Sequence, residues 1–157
     1  MIELLPFESL NSIQKKMVLD WRNDKRVSFW MYNQDSISLK NHLSFIDRLK
    51  DDDTKRYFLV KKDELDLGVI DLCEIKIDSA HGGLYQNPEL KGYGKVLLSE
   101  LVKFAFNELK IKKLFLEAYE NNKRALKLYK KMGFVEVKNA TFNSKKLISL
   151  ELINENI

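Results

Sequence analysis

The chain is 157 residues long, with 45% hydrophobic and 32% charged residues and a formal net charge of +4. This length and composition predict one domain, residues 1–157, with a hydrophobic core of its own, and they exclude a low-complexity or disordered chain. No apolar run approaches the roughly 18 residues of a membrane span, and no signal peptide is evident. A single cysteine excludes an internal disulfide framework. We therefore expect a cytoplasmic protein with no membrane partner.

Apolar periodicity divides the chain into alternating strands and helices. In the first half it predicts a strand at Ile2–Phe7, helices at Leu10–Asn23 and Leu39–Leu49, and strands at Tyr57–Lys61, Leu67–Ile77 and Ser79–Tyr85. In the second half it predicts a helix at Tyr93–Leu109, a strand at Lys113–Ala118, a helix at Asn122–Lys131, and strands at Phe134–Val137 and Lys146–Leu152. This order predicts an α+β fold (α/β in some schemes), with a mixed, mostly antiparallel central sheet and helices on both faces.

The same patterns predict which apolar side chains are buried. Helical spacing predicts burial of Ile13 in the first helix and of Leu39 and Leu43 in the second. Strand alternation places Cys73 and Ile77 in the core. A covalent acyl-transfer route through this cysteine is therefore not expected.

A glycine turn precedes the longest predicted helix. Gly92 and Gly94 flank its first residues, and Lys91 and Lys95 add positive charge. Glycines let a phosphate approach the unpaired N–H groups at a helix N-terminus. No Gly-Lys-Ser/Thr follows, so the turn is not a Walker A loop, and Leu97 occupies the third glycine position of the dinucleotide fingerprint. The alternative is a tight strand-to-helix turn with no ligand.

A second segment places polar groups on one face of a shorter helix. Asn122, Ala125 and Tyr129 lie at i, i+3 and i+7, and Gly133 follows as the residue that ends the helix. The alternative is that Asn122 is only an N-cap and Tyr129 only a half-buried aromatic. The order and spacing of both segments together are more specific than either segment alone.

The pattern Lys91-Gly92-x-Gly94, followed by Asn122-x-x-Ala125-x-x-x-Tyr129-x-x-x-Gly133-Phe134, resembles the GNAT superfamily of N-acetyltransferases. The resemblance implies that the glycine turn binds the pyrophosphate of acetyl-CoA, that the preceding strand splays to hold the pantetheine arm, and that Tyr129 protonates the departing thiolate. It implies cofactor-binding roles for Leu84, Tyr85, Leu90, Lys91, Gly92, Tyr93, Gly94, Lys95 and Asn122. The chain departs from the family at Glu89, where Gln or Arg is common.

Basic residues are concentrated around these two segments. Residues 91–131 contain eleven Lys/Arg and four Asp/Glu, a local balance of +7. Lys127 is placed to meet the 3′-phosphate of acetyl-CoA, which carries several phosphate charges. The alternatives are a solvated helix face or a nucleic-acid surface. We expect no nucleic-acid partner, because the strands do not interleave basic residues with exposed aromatics.

The N-terminal half carries a finer resemblance. The segments Trp21-Arg22-Asn23, Met31-Tyr32-Asn33 and Ser38-Leu39-x-x-His42 resemble the UDP-4-amino-4,6-dideoxy-N-acetyl-altrosamine N-acetyltransferases of pseudaminic acid biosynthesis, which supplies a flagellin sugar. This implies a nucleotide-sugar substrate held by Trp21, Arg22, Met31, Tyr32 and His42. A guanidinium at Arg22 suits a UDP phosphate. The alternatives are a core anchor for Trp21, a surface ion pair for Arg22, and a packing role for His42.

The reaction requires a neutral amine, a polarised carbonyl and an acid for the thiolate. Ser79 and His81 share a strand face with Tyr85, so His81 is the predicted base and Ser79 a relay through water. The alternative is a loop histidine with no role. No metal site is predicted. Other functions left open are acetylation of a protein N-terminus or of another amino sugar, an acyl-CoA-binding or nucleic-acid-binding module, and, for assembly, a homodimer.

Overall fold

The computed structural model describes residues 1–157, which form seven strands and five α-helices. The N-terminal part contains β1 (Ile2–Pro6), α1 (Ser12–Asn23), α2 (Lys25–Ser28), α3 (Leu39–Leu49), β2 (Arg56–Lys62), β3 (Leu65–Cys73) and β4 (Ser79–Gln86). The C-terminal part contains α4 (Gly94–Lys103), β5 (Lys113–Tyr119), α5 (Lys123–Lys131), β6 (Val135–Phe142) and β7 (Lys145–Ile153). A 3-10 turn (Phe7–Ser9) precedes α1, and a π-helical segment (Phe104–Glu108) continues α4. None of these helices has the length and apolarity that a membrane crossing would require.

All seven strands belong to one sheet in the order β1-β2-β3-β4-β5-β7-β6. Every neighbouring pair is antiparallel except β4 and β5, which run parallel. These two strands pair only from Ser79↔Lys113 to His81↔Phe115 and then diverge. The predicted mixed, mostly antiparallel sheet is confirmed, and its central strands open into a cleft.

Helices cover both faces of the sheet, as predicted. A major core of 19 buried residues joins one face to α4 and α5, and a minor core of 8 buried residues joins the other face to α1 and α3. Val69 and Ile70 are neighbours on β3 but belong to different cores, because successive side chains of a strand point to opposite faces. The minor-core face is the one from which Tyr57 and Tyr85 project.

Several predicted buried positions are wrong. Ile13 is 81% exposed, since it lies in the first turn of α1, before the part of the helix that buries Val18 and Trp21. Leu39 and Leu43 are also exposed, because α3 buries the opposite edge of its apolar stripe. Ile77 is 90% exposed. The predicted strand over Leu67–Ile77 ends at Cys73, since Glu74 takes a positive φ of 48° and turns the chain away from the sheet.

Other differences concern element boundaries. The predicted helix over Tyr93–Leu109 leaves α-helical geometry at Phe104. Strand β6 extends to Phe142, well beyond the predicted Val137, and all eight of its residues are exposed. An edge strand exposed along its whole length has no buried side to impose alternation on the sequence. The short helix α2 was not predicted, and Asp24 caps it by accepting a hydrogen bond from the Arg26 N–H.

Candidate active site

The cleft between β4 and β5 begins at a pair of glycines. Gly82 and Gly83 follow His81, the last residue of β4 that pairs with β5. A Cβ at Gly82 would lie 2.9 Å from Leu101 and 3.1 Å from Leu116, so only glycine lets α4 and β5 approach this closely. A Cβ at Gly83 would lie 2.7 Å from a carboxylate oxygen of Asp71. The strand therefore presents a stretch without side chains where the cleft opens.

The predicted anion cradle lies at the N-terminus of α4. The other four α-helices begin with a side-chain cap, from Asn11, Asp24, Ser38 and Asn122, whereas α4 has none. Gly92 has a φ of +83°, and a Cβ built on it meets nothing within 4 Å. Uncapped N–H groups beside open space are what an anion such as pyrophosphate needs.

Gln86, which the sequence analysis did not single out, holds this loop in shape. Its Oε1 accepts a hydrogen bond from the Tyr93 N–H at 2.6 Å, and its Nε2 donates to the Leu90 carbonyl at 2.5 Å. One side chain at the end of β4 thus ties together both sides of the glycine turn. Leu84, Leu90 and Tyr93 pack their side chains against the major core, so none of these side chains projects into the turn.

Glu89, the departure from the family pattern, has a partner in the structure. Its Oε1 accepts a hydrogen bond from Arg26 Nη2 at 2.8 Å, and the same guanidinium binds Asp24 Oδ2 at 2.7 Å. Arg26 lowers the pKa of Asp24 to about 2 through these hydrogen bonds. The Glu89 carboxylate is therefore paired with a cation supplied by α2, which reduces its repulsion of a phosphate at the glycine turn.

The two functional residues of α5 are placed differently. Asn122 Oδ1 accepts a hydrogen bond from the Ala125 N–H at 3.4 Å, so the residue is an N-cap and its amide nitrogen remains available. Tyr129 is 8% exposed. Burial raises the pKa of Tyr129 to about 12, and the negative charge of Asp71 is a smaller contribution in the same direction. A phenol with this pKa is protonated at neutral pH and is a competent proton donor. Lys91, Lys95 and Lys127 are exposed at the surface.

A hydrogen-bonded network surrounds the carboxylate of Glu117 on β5. Tyr32 donates its hydroxyl proton to Glu117 Oε1 at 2.6 Å, and Ser149 donates to Glu117 Oε2 at 3.0 Å. Asn143, at the tip of the β6–β7 hairpin, donates to the Tyr32 carbonyl at 2.9 Å and to the Tyr119 hydroxyl at 3.2 Å. The segment after α2 is thus fastened to both β5 and the hairpin.

A polar cavity of about 410 Å³ lies beside this network, lined by Tyr32, Asn33, Gln34, Asp35, Tyr119, Asn143 and Lys145. Burial and the hydrogen bond to Glu117 raise the pKa of Tyr32, which keeps its phenol protonated. Lys145 lies 5.0 Å from the ring centre of Phe29 and 5.5 Å from that of Tyr119. The cavity therefore combines aromatic, amide and cationic groups with the carboxylate of Asp35. Only Tyr32 among its lining residues was predicted.

The Arg22 guanidinium contacts Asn33, a lining residue of this cavity, and has one N–H group without a hydrogen-bond partner. Its Nη2 donates to the Asn33 carbonyl, but its Nη1 is buried without a hydrogen-bond partner. Burial lowers the pKa of Arg22, which shows that the guanidinium is partly desolvated. A desolvated cation with a free donor is incomplete until an anion or a water meets it. The surface ion pair considered as an alternative for Arg22 is absent.

Three other residues predicted to bind the substrate are buried or half-buried in the structure. Trp21 is 7% exposed and belongs to the minor core, the core-anchor alternative. His42 is also 7% exposed, and its Nε2 lies 2.9 Å from the Lys15 carbonyl. Burial lowers the pKa of His42. Met31 is half-buried and donates its N–H to Ser28. The burial of Trp21 and His42 favours the packing alternatives considered for both residues.

Ser79 and His81 lie in the closed part of the β4–β5 pair. Ser79 pairs with Lys113 at the start of β4, about 13 Å along the strand from Gly83. His81 Nε2 lies 3.3 Å from a carboxylate oxygen of the exposed Glu74, and the ring packs on Phe115 at 5.3 Å between centres. Neither side chain contacts Tyr129, and their catalytic roles stay predictions.

A carboxyl that was not predicted faces the cleft instead. Asp71 on β3 is half-buried, and burial raises the pKa of its carboxyl to about 6. Its one hydrogen-bond neighbour is Cys73, whose Sγ lies 3.6 Å from Oδ1 and 3.3 Å from the Tyr57 hydroxyl. Cys73 is therefore half-buried in a polar cluster and is not the core residue predicted. Burial raises its pKa to about 11, so the thiol is a poor nucleophile.

Comparison with known proteins agrees with this geometry. The family description "Acetyltransferase (GNAT) domain" matches residues 9–135. The chain is 40% identical over 134 residues to acetyltransferase PseH of Campylobacter jejuni strain 81-176, covering 85% of each chain. The crystal structure of Campylobacter jejuni N-acetyltransferase PseH in complex with acetyl coenzyme A has a TM-score of 0.83 and 34% identity, with 99% of this chain and 100% of that chain covered.

A more distant structure shares the fold. Spermidine N-acetyltransferase from Vibrio cholerae, in complex with CoA and spermine, has a TM-score of 0.88 at 20% identity, with 97% of this chain and 95% of that chain covered. At this level of identity the likeness shows the fold alone.

The raised pKa of Asp71 predicts a pH dependence of stability. The carboxyl titrates near pH 6 when folded and near its ordinary 3.8 when unfolded. The folded state therefore binds the proton more tightly, and the contribution of Asp71 to stability is largest at low pH and is lost as pH rises through 6. We compare the free energy of unfolding of the wild type with that of Asp71→Asn. When the pH is lowered from 7.5 to 4.5, this difference should shift by about 1 to 2 kcal/mol in favour of the wild type, a range that allows for solvent access to a half-buried residue.

Urea unfolding of both proteins at several pH values measures this difference. Asp66→Asn, also on β3 but paired with Lys61, is the control for a loss of charge on the same strand. A difference between wild type and Asp71→Asn that stays constant from pH 7.5 to 4.5 would contradict the assignment.

Proposed function

The chain belongs to the GNAT acetyltransferase family, and from this premise we propose that it acetylates the 4-amino group of a UDP-linked 4-amino-4,6-dideoxy sugar in pseudaminic acid biosynthesis. The chemistry is that of an acetyl-CoA-dependent N-acetyltransferase. The observation that carries the proposal is the cleft between β4 and β5, which has an uncapped glycine turn at its edge and the buried phenol of Tyr129 beside it. The acceptor rests on the segments around Arg22 and Tyr32 and on the likeness to acetyltransferase PseH.

The donor site fits acetyl-CoA by its shape and its donors. A Cβ at Gly92 would meet open space, and no side chain caps α4, so the backbone N–H groups of Gly92 and Gly94 would hold the pyrophosphate. The Tyr93 N–H is engaged by Gln86 and shapes the turn instead. The diverging edges of β4 and β5 leave backbone groups near Leu84 and Tyr85 for the pantetheine arm. Lys91, Lys95 and Lys127 are exposed cations suited to the phosphates, and Asn122 keeps a free amide nitrogen.

The transfer forms one bond and breaks another. The acceptor nitrogen attacks the acetyl carbon, the C–N bond forms and the C–S bond breaks. Tyr129 donates its phenolic proton to the departing sulfur, which avoids release of a bare thiolate. A backbone N–H of β4 near Leu84 would stabilise the carbonyl oxygen as negative charge develops on it. In direct transfer of this kind, Cys73 takes no part.

Acceptor recognition is assigned to the cavity beside Tyr32. The buried, unpartnered Nη1 of Arg22 suits a diphosphate, because an anion would satisfy a donor that is otherwise orphaned. The network from Tyr32 through Glu117 to Ser149 fixes the wall of this cavity. The predicted homodimer and cytoplasmic location are retained as part of the proposal.

The acceptor is tested by thiol release from acetyl-CoA in the presence of UDP-4-amino sugars, simple amino sugars, peptides and polyamines. We expect turnover with the UDP-4-amino sugar and little with the others. Arg22→Met should raise the KM for that sugar by roughly 10- to 100-fold, the range for losing a charged hydrogen bond, with an unchanged acetyl-CoA affinity. Arg48→Met, an exposed arginine of α3, is the control. Turnover with peptides alone would reassign the acceptor.

The proton donor is tested by Tyr129→Phe, which removes one oxygen from a buried side chain. We expect kcat to fall by roughly 100-fold or more, because general acid catalysis contributes about 10² to 10⁴. Acetyl-CoA affinity, measured by calorimetry, should change little. Undiminished turnover would transfer the acid role to water or to another group.

The cradle is tested by Gly92→Val. The added methyl groups occupy the open space at the turn, and a β-branched residue at positive φ strains the backbone. We expect acetyl-CoA affinity to fall roughly tenfold or more, equivalent to about 1.4 kcal/mol. Gly133→Val places the same strain at the end of α5, where φ is +100°, and should lower stability with unchanged affinity. Equal affinity for both variants and the wild type would rule out this turn as the cradle.

A further inference from the structure

We infer that Asp71 accepts the proton of the acceptor ammonium, and that Gly83 is a glycine because any side chain there would cover the Asp71 carboxyl. The inference rests on the proposed function and adds to it the group that makes the amine nucleophilic. It replaces His81 in that role.

The register of the sheet places Asp71 beside a gap. Asp71 on β3 pairs with Gly83 on β4 and with Tyr57 on β2, and it projects from the same face as Val69. That face carries the minor core and also Tyr85. Because Gly83 has no Cβ, the Asp71 carboxyl can lie over its backbone; a Cβ there would lie 2.7 Å from Oδ2 and 3.1 Å from Oδ1.

The gap coincides with the opening of the cleft. Gly83 lies two residues beyond His81, the last residue of β4 that pairs with β5. Glu117 lies two residues beyond Phe115, the partner of His81, and so projects from the same face of the sheet. Two carboxylates, Asp71 and Glu117, therefore stand on either side of a strip without side chains. A cationic amine entering the cleft between them meets negative charge on both flanks.

The two carboxylates differ in their hydrogen bonds. Both oxygens of Glu117 are engaged, one by the Tyr32 hydroxyl and the other by the Ser149 hydroxyl. Asp71 has only the Cys73 thiol, 3.6 Å from Oδ1, and its Oδ2 accepts no hydrogen bond from the protein. An acceptor oxygen without a donor is free to bind an ammonium proton. Glu117 positions Tyr32 and the cavity wall instead.

The groups around Asp71 carry no positive charge at close range. Tyr57 faces it from β2, Cys73 from β3 and Tyr85 from β4, and Tyr129 approaches from α5. Two cations act on its neighbours, Arg22 of α1 on Tyr85 and Lys55 on Cys73, and neither acts on Asp71 itself. Desolvation without a compensating cation raises the pKa of Asp71 to about 6. A carboxylate with this pKa is mostly ionised at pH 7 and still basic enough to take a proton.

One carboxylate, Asp71, and one phenol, Tyr129, account for all the protons transferred in the reaction. Asp71 takes one proton from the ammonium, which frees the nitrogen lone pair, and later releases that proton to solvent. The nitrogen then forms the C–N bond while the C–S bond breaks and Tyr129 protonates the sulfur. The second amine proton restores the Tyr129 phenol. The net products are the amide, the thiol and one proton.

The test compares the wild type with Asp71→Asn and Asp71→Glu, with Asp66→Asn as the control on the same strand. First, kcat/KM for the UDP-4-amino sugar is measured from pH 5.5 to 9.5, because kcat/KM reports the pKa values of the free enzyme. In the wild type we expect kcat/KM to rise with a midpoint near pH 6, the pKa of Asp71. In Asp71→Asn this rise should be absent, and kcat/KM at pH 7 should be lower by roughly 100-fold or more. Its deficit should shrink at high pH, where the amine is already neutral.

A second readout does not depend on turnover. Carbon NMR of side-chain carboxyls, assigned by the loss of one signal in Asp71→Asn, gives the titration of Asp71 directly. We expect a midpoint near 6 in the free enzyme and a lower midpoint when the acceptor ammonium is bound. Asp71→Glu keeps a carboxyl and should retain the acidic limb of the profile, so the inference stays testable if the asparagine variant folds poorly.

The outcomes separate the two proposals. If the wild type acetylates an amine and Asp71→Asn has the same rate and the same pH profile, the role of Asp71 is overturned. The proposed function then remains intact. A carboxyl midpoint near the ordinary 3.8 also overturns that role. A wild type silent towards every amine overturns the proposed function, and the role of Asp71 with it.

Discussion

The divergence of β4 and β5 after three residue pairs is the constraint on which the rest of the structure depends. These are the only parallel neighbours in the sheet, and their separation leaves backbone N–H and C=O groups facing the cleft without a ladder partner. Such groups are stable only if water or a ligand meets them. The sheet is held on both sides by antiparallel pairs, from β3 and from β7, so the gap persists without unravelling the sheet. A hydrophobic core on each face fixes the two strands at their divergent angles.

Three glycines around this gap act for three different physical reasons. Gly82 allows close packing, since a Cβ would meet Leu101 and Leu116. Gly83 leaves a carboxyl uncovered. Gly92 supplies a backbone conformation with positive φ and leaves space for a ligand. We therefore expect substitution at each to change a different property of the protein: the packing of α4 at Gly82, the position of the Asp71 carboxyl at Gly83, and the proposed binding of the pyrophosphate at Gly92.

The parts of the site that could be predicted are those set by local spacing. The glycine turn, Asn122 and Tyr129 lie within short segments whose helical period fixes their relative positions, and a family resemblance adds their roles. Asp71, Gln86, Glu117 and Asn143 could not be found in this way, because strand register and loop docking bring them together from distant parts of the chain. The sequence offered one indication of Asp71, which is that an acidic residue interrupts an otherwise apolar stretch of strand β3. Trp21 and His42 were assigned to the ligand, since a motif does not reveal whether an aromatic side chain points inwards.

The ion pair between Arg26 and Glu89 joins α2 to the loop that carries the glycine turn. Both side chains are largely exposed, so the pair adds little to stability. Its effect is on charge: without Arg26, the Glu89 carboxylate would repel an anion at the glycine turn. We therefore expect related enzymes with glutamate at position 89 to carry a cation at position 26, and those with glutamine at position 89 to tolerate its loss.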